Sequence, residues 1–285
     1  MVKRKKKSMF SQVLKRLFKN PTATIGLVIL ILLIAAAALA PVLAPYTATE
    51  MDYSAVLKGP SAKHLLGTDD IGRDILSRCL YGAKYSLSLG LIAALTGTIV
   101  GLIFGCLIGY IGGRVDDIFM RVCDVWASIP GTLIVIILAT LIGTGFVPTI
   151  FAMSIGGFPH QIRGVRAMCL KERSEEYLEA AKSINCSKLK IIYRHMLPNI
   201  ISPSIVGFTM GIGNQIMNAA QLSFIGLGVR PPTPEWGAML SSGRAYILTA
   251  PYVLLYPGLC IAITVLSINL FGDGLRDALD PKLKD

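Results

Sequence analysis

The strongest constraint on the fold of this chain is a series of long apolar stretches separated by short polar segments. The first extends from about Ala23 to Ala44 without a charged residue, and others lie at about 86–111, 118–142, 147–168, 200–222 and 252–270. About twenty apolar residues suffice for a helix that crosses a bilayer. The pattern therefore predicts an all-α polytopic membrane protein with about six transmembrane helices.

Composition and motif content exclude several other classes of protein. Of the 285 residues, 53% are hydrophobic and only 16% are charged, which is too apolar for a soluble domain. The net charge is +11, but the basic residues form no patch with interleaved aromatic residues, so we expect no nucleic-acid partner. The cysteines and histidines lack metal-site spacing, and no Walker A, zincin or catalytic-triad motif is present. We therefore predict no enzymatic activity, no cofactor and no bound metal.

The distribution of basic residues predicts the orientation of the chain. No acidic residue precedes Glu50, whereas eight lysines and arginines precede residue 20. A cleaved signal peptide is the alternative for this region, but the basic part is long and Pro41 would directly follow the cleavage site at 38–40. With both termini in the cytoplasm, 21 basic residues lie inside and 7 outside, in agreement with the positive-inside rule.

This orientation predicts the following segments. They are a basic cytoplasmic tail (1–22), a first transmembrane helix (23–44), an external segment (45–84), a transmembrane core (85–273) with a cytoplasmic loop (171–198) and an external loop (223–250), and a cytoplasmic tail (274–285).

The segment 175–198 is a polar island between apolar stretches and cannot itself cross a bilayer. Its pattern predicts a short helix, a sharp turn and a second short helix. Tyr177, Ala181 and Ile184 share one face of the first helix at spacings i, i+4 and i+7. Asn185 enters the left-handed backbone region at little cost, so it suits the C-cap of that helix.

Within this segment, Glu179-Ala180-Ala181, the turn at Asn185 and Leu197-Pro198 are similar to the EAA loop of ABC importer permeases. In that family the loop is a coupling helix that docks in a groove of the cytoplasmic ATPase, and the resemblance implies the same role here. The family usually has Gly where this chain has Asn185, which tolerates the same backbone. The implied coupling residues are Tyr177, Glu179, Ala180, Ala181, Ile184, Asn185, Leu197 and Pro198.

Two external motifs narrow the resemblance. The stretch 66–78 has the glycine spacing of a phosphate loop, but Arg73-Asp74 replace Lys-Ser/Thr and no strand precedes it, so we reject nucleotide binding. Together with 81–87, with LSFIGLGVRPPTPEWGAML at 222–240 and with the tail at 272–281, it resembles the C-type subunit of the dipeptide/oligopeptide (and nickel) permease family. The resemblance implies the type I ABC importer permease fold over nearly the whole chain.

Three local predictions accompany these motifs. Asp69 or Asp70 is expected near the start of an interfacial helix, and Thr233 or Pro234 is expected to begin a short amphipathic helix. The fourth span is expected to be interrupted at 156–159, where Gly-Gly-Phe-Pro occurs.

The second and fifth spans carry further candidate sites. Gly97, Gly101, Gly105 and Gly109 recur every four residues and predict a smooth helix face for close packing, within this chain or against a partner permease. Polar residues in the fourth and fifth spans are candidates for the wall of a translocation path. These candidates are Phe158, His160, Gln161, Asn214, Gln215 and Asn218.

The resemblance implies a permease subunit of an ATP-driven importer for di- or oligopeptides, in the cell membrane. The implied partners are a homologous second permease, two ABC ATPase subunits that hydrolyse ATP, an extracytoplasmic substrate-binding protein and membrane lipids. Nickel chelates, glutathione and other small solutes remain alternative cargoes within the family. A secondary transporter driven by an ion gradient is the alternative from another class, but mid-membrane charges are scarce and no inverted repeat is visible.

Overall fold

The computed structural model describes residues 9–279, and these residues form a bundle of helices. The predicted tail residues 1–8 and 280–285 lie outside the described part. The helices are α1 (Met9–Lys19), α2 (Pro21–Ala38), α3 (Ala40–Leu43), α4 (Ile75–Ile111), α5 (Gly113–Ala127), α6 (Gly131–Ile142), α7 (Phe146–Arg173), α8 (Glu176–Ser183), α9 (Lys188–Ile191), α10 (Leu197–Phe224), α11 (Trp236–Gly243) and α12 (Tyr252–Leu279). A π-helical turn at Ile192–Met196 joins α9 to α10.

Four of these helices are long and apolar enough to cross a membrane: α2, α4, α12 and the continuous stretch Lys188–Phe224 that contains α10. The pair α5 and α6 passes the same test together, with a bend of 79° between them. The bend occurs at Pro130, which is the N-cap of α6 with φ −51° and ψ 127° and does not continue α5. α7 has 28 residues but is not apolar enough to belong to this set.

The predicted interruption of the fourth span is wrong. α7 is continuous from Phe146 to Arg173, and Pro159 lies inside it. A proline removes one hydrogen bond without ending a helix that neighbouring helices support. Gly156 serves close packing instead, since a Cβ there would lie 2.6 Å from Cγ2 of Val135 in α6.

α4 is the central helix of the bundle. It packs against α2, α7 and α10, while α12 packs against α2, α10 and α11. Its 37 residues correspond to a length of about 55 Å, which exceeds the thickness of a hydrocarbon core. It begins eleven residues before the predicted second span, so the end of the predicted external segment is already helical.

The N-cap of α4 is Asp74 rather than Asp69 or Asp70. Asp74 has an extended backbone, and its carboxylate accepts hydrogen bonds from the Ser77 amide and hydroxyl, both at 2.8 Å. Asp69 instead folds the preceding turn, because it accepts from the Arg73 amide at 2.9 Å and from Arg73 Nε at 2.7 Å. His64 is buried beside the cap, with Nδ1 3.0 Å from Asp74 Oδ1.

A buried carboxylate binds the loop after α10 to the first half of α4. Glu235, the N-cap of α11, accepts from the amides of Gly237 at 2.9 Å and Ala238 at 2.8 Å, and from the Ser86 hydroxyl at 3.2 Å. α11 therefore begins at Trp236, two residues later than the Pro234 start expected from the sequence. The cap decides the start, since it satisfies amides that the first turn leaves without partners.

Candidate functional site

The predicted coupling segment forms the helix–turn–helix expected from its sequence. α8 ends in a Schellman motif: the Asn185 amide donates to the Lys182 carbonyl at 2.9 Å, and the Cys186 amide donates to the Ala181 carbonyl at 3.1 Å. Asn185 has φ 57°, in the left-handed region that asparagine tolerates. The turn geometry of the family is thus available without glycine.

One face of α8 is buried against the rest of the chain. We call the apolar residues at this place the base cluster. It consists of Cys106 and Tyr110 of α4, Val165 and Cys169 of α7, Leu178 and Ala181 of α8, and Ile191, Met196 and Ile200. The cluster packs α8 against residues of α4 and α7.

The sequence-predicted docking face of Tyr177, Ala181 and Ile184 is not a single exposed surface. Ala181 is 4% exposed inside the base cluster, whereas Ile184 is 76% exposed. The helical spacing puts the three residues on one side of α8. It does not show which of them packs against the rest of the chain and which faces solvent. Glu179, Ala180 and Asn185 are exposed, Leu197 is half-buried, and Pro198 is exposed at the start of α10.

The outer side of the segment presents large apolar side chains to solvent. Leu189 is 72% exposed and Tyr193 is 77% exposed, in addition to Ile184. Sequence reasoning missed Leu189 and Tyr193, although Leu189 stands between two lysines in a polar segment, which is a recognisable signal. These exposed apolar residues make the outer side of the segment a candidate protein-binding surface.

Tyr177 connects α8 to the start of α10. Its hydroxyl donates to the Glu172 carboxylate and accepts from Asn199 Nδ2 at 2.7 Å. Partial burial and the hydrogen bond to Glu172 raise the pKa of Tyr177 to about 12, so the hydroxyl stays protonated at neutral pH. Tyr177 is therefore a structural link as well as a partly exposed residue.

A half-open cavity of about 490 Å³ lies between α6, α7 and α10. Its polar wall comes from α10, where Gln215, Asn218 and Gln221 follow one another every three residues, and Asn218 Nδ2 donates to Gln215 Oε1 at 3.2 Å. The opposite wall includes Gly131 and Thr132 of α6. None of the lining residues that the structure describes carries a charge.

Two of the six predicted path residues, Gln215 and Asn218, line this cavity. Phe158, His160 and Asn214 do not, and His160 and Asn214 are exposed elsewhere on their helices. Gln161 faces α4 instead, where its carbonyl oxygen would lie 3.0 Å from a Cβ at Gly101.

The placement of Gln161 in a helix interface follows from the register of the uninterrupted α7. Gln221 and Thr132 were missed as lining residues. The i, i+3, i+6 spacing of the α10 amides was a signal for Gln221, whereas Thr132 depends on the bend before α6.

All four glycines of the predicted stripe face α7. A Cβ at Gly105 would lie 2.7 Å from Val165 Cβ, and one at Gly109 would lie 2.8 Å from Cys169 Cβ. The contact at Gly97 is looser, at 3.4 Å from Gln161 Cγ. The stripe therefore lies inside this chain, at the closest approach of α4 and α7.

Two ion pairs connect α5 to α7. Arg166 binds Asp116 through two hydrogen bonds of 2.5 Å, and Arg163 Nη2 donates to Asp124 Oδ1 at 2.6 Å. Asp116 is buried, whereas the Asp124–Arg163 pair is partly exposed. Together they hold the short helix before the bend against the helix that leads into α8.

Comparison with protein families agrees with this architecture. Residues 101–285, more than half of the chain, match the family described as binding-protein-dependent transport system inner membrane component. The chain belongs to this family of transport permeases. Residues 8–60 match the N-terminal transmembrane domain of oligopeptide transport permease C, which confirms the predicted C-type subunit of the dipeptide/oligopeptide and nickel ABC importer family.

Curated relatives cover almost all of the permease. It is 45% identical over 271 residues to the glutathione transport system permease protein GsiD of Escherichia coli O6:K15:H31, an alignment covering 95% of this chain and 89% of the relative. The corresponding protein of Pectobacterium atrosepticum is 44% identical, with 95% and 90% covered. The permease is thus a multi-pass membrane protein and a transport subunit.

Solved structures confirm the predicted type I fold. The permease superposes on a chain of an inward-facing MetNI methionine ABC transporter with a TM-score of 0.60 and 17% sequence identity, covering 72% of this chain and 98% of that chain. A second crystal form of that transporter gives a TM-score of 0.59. Among the described residues of the permease, no group of three or more His, Cys, Asp or Glu side chains could hold a metal ion.

Proposed function

We propose that this permease forms half of the translocation path of an ATP-driven importer for short peptides, in the cell membrane with both termini cytoplasmic. The observation that carries the proposal is the cavity walled by Gln215, Asn218 and Gln221. Amides are costly against hydrocarbon, so side chains exposed on one chain must face a partner subunit or a hydrated path. A homologous second permease would close the open side of the cavity.

The chemistry of the wall suits peptide cargo. Side-chain amides both donate and accept hydrogen bonds, so they can pair with the N–H and C=O groups of any peptide. The absence of charge among the described lining residues leaves the ends of the cargo to water or to the partner subunit. Such a wall would pass peptides of many sequences, and selection would occur in an extracytoplasmic substrate-binding protein.

Glutathione is the second candidate cargo. The curated relatives at 45% and 44% identity are named glutathione transport system permeases, and glutathione is itself a tripeptide. The same amide wall could bind its peptide groups, so the two candidates share one mechanism and differ in the binding protein that delivers the cargo.

One uptake experiment tests both candidate cargoes, short peptides and glutathione. Asn218→Leu removes one amide from the cavity and should lower uptake of labelled dipeptide or glutathione about tenfold, because unpaired polar groups of the cargo lose hydrogen bonds. Thr140→Leu is the control, since Thr140 is exposed on α6 outside the cavity and its hydroxyl already donates to the Ile136 carbonyl oxygen of the same helix at 2.8 Å. Unchanged uptake in Asn218→Leu would contradict the cavity as path, and a deletion strain that keeps its uptake would contradict the proposed cargo.

Coupling to ATP would use the contacts of the coupling segment. Two cytoplasmic ABC ATPases would bind the exposed residues of α8 and α9, and their closure would move α7 through the base cluster. The ion pairs Asp116–Arg166 and Asp124–Arg163 would transmit this movement to α5, and the bend at Pro130 would transmit it to Gly131 and Thr132 at the cavity.

Charge exchange tests this transmission. Asp124→Arg should reduce transport per ATP hydrolysed, whereas the double variant Asp124→Arg/Arg163→Asp should restore much of it. Folding should change little, because a partly exposed pair contributes about 0.2–1 kcal/mol. The measurement is the ratio of uptake to ATP hydrolysis in reconstituted vesicles. A double variant no better than the single one would show that this ion pair has no part in coupling.

A further inference from the structure

A second large groove shares no lining residue with the cavity of the amide wall. It has a volume of about 830 Å³ and is bounded by α2 and α3, α4, α10 and α12. Most of its lining is apolar, including Leu30, Leu91 and Phe271. Peptide transport as proposed above makes no use of this groove.

One end of the groove is polar. Lys84 lines it together with Tyr81 and Tyr85 of α4, next to Ala40 and Pro41 at the end of the first apolar run. The Lys84 side chain is exposed, and none of the ion pairs among the described residues involves it. A lysine and two tyrosines where a spanning helix ends are expected at the level of lipid headgroups.

The groove is long enough to take an acyl chain. Along α2 and α3 it extends from Leu30 to Pro41, a separation of eleven residues that corresponds to about 16 Å in helical conformation. The acyl chains of one leaflet fill half of the hydrocarbon core, about 15 Å. The lining residues of α12, Ile268 and Phe271, lie deeper, because Phe271 packs beside Gly26 near the start of the first predicted span.

We propose that this groove binds an acyl chain of an anionic phospholipid, and that the phosphate of the headgroup is bound by Lys84. The ammonium group gains a charge-assisted hydrogen bond to a phosphate oxygen, and the tyrosine hydroxyls can donate to the same headgroup. The acyl chain fills a groove that would otherwise leave its lining without van der Waals contacts.

The site is tested on the full-length chain, purified from membranes with its co-purifying subunits and washed with detergent in steps. The retained phosphatidylglycerol and phosphatidylethanolamine are then counted by mass spectrometry. Lys84→Gln should lower the amount of retained phosphatidylglycerol about tenfold, while Lys84→Arg should retain it. Lys58→Gln is the matched control, because Lys58 is exposed in the same predicted external segment outside the groove.

A second variant tests the apolar part of the groove. Leu91→Trp should displace the acyl chain and lower phospholipid retention while Lys84 is intact. Equal retention of phosphatidylglycerol by wild type and Lys84→Gln would overturn the proposal, as would a wild-type complex that retains no phospholipid after the wash. Lipid retention is measured without transport. The result therefore tests the lipid site independently of the proposed cargo.

Discussion

Replacing Ile184 with aspartate is expected to abolish ATP-driven uptake while the chain still folds and enters the membrane. Ile184 is 76% exposed at the end of α8, so the substitution removes no packing within the chain. An exposed apolar anchor in a docking surface contributes about 2 kcal/mol or more, which corresponds to at least about thirtyfold weaker ATPase binding. A buried aspartate in the ATPase groove would add a desolvation cost.

The measurement is the recovery of ATPase subunits with the tagged permease, followed by uptake in the same cells. Ile247→Asp is the matched control, because Ile247 is 58% exposed in the predicted external loop. Ala181→Arg would be a poor test of docking, since Ala181 lies in the base cluster and an arginine there would disrupt α8 itself. Full recovery of ATPases with Ile184→Asp would remove Ile184 from the coupling surface.

Replacing Gly105 with leucine is expected to prevent normal packing of α4 on α7. A Cβ at this position would already lie 2.7 Å from Val165 Cβ and 2.9 Å from the Ile162 carbonyl oxygen, both on one rigid helix. Overpacking of this kind costs about 1–3 kcal/mol or more, because neither backbone can withdraw without moving the base cluster. The yield of monodisperse protein should fall severely.

Size-exclusion chromatography after heating measures this effect. Gly164→Leu is the matched control, because Gly164 lies on the facing helix α7 and a Cβ added there would have no neighbouring atom within 4 Å. Gly97→Ala should be tolerated, since its nearest neighbour would be 3.4 Å away. A Gly105→Leu protein as heat-stable as Gly164→Leu would mean that α4 and α7 do not approach as closely as described.

Much of the fold could be predicted from local sequence. The apolar stretches predicted the helices because every backbone polar group in a membrane must be satisfied within a helix. The stripe of Gly97, Gly101, Gly105 and Gly109 predicted a close helix contact from its spacing alone. The turn at Asn185 was also predictable, since few residues besides glycine adopt a positive φ.

The candidate site was less predictable, because it depends on which helices face one another. Gln161 and Gln215 are the same residue type in neighbouring spans, yet one packs on α4 and the other lines the cavity. Pro130 bends its segment by 79°, whereas Pro159 leaves α7 uninterrupted. In both pairs, the position of the residue in the fold depends on the helices around it, through their packing and through the hydrogen bonds that they supply.

By itself, the sequence determined that this chain is a helical membrane permease with a polar helix–turn–helix segment between two of its apolar stretches. The length of an apolar stretch and the spacing of residues within it are local properties, so they can be read without knowing which helices pack against each other. Only the tertiary structure decided that Ala181 is buried while Ile184 is exposed, that Arg163 and Arg166 bind the carboxylates of α5, and that Lys84 borders an apolar groove. These relations join residues far apart in the chain, and packing between helices sets them.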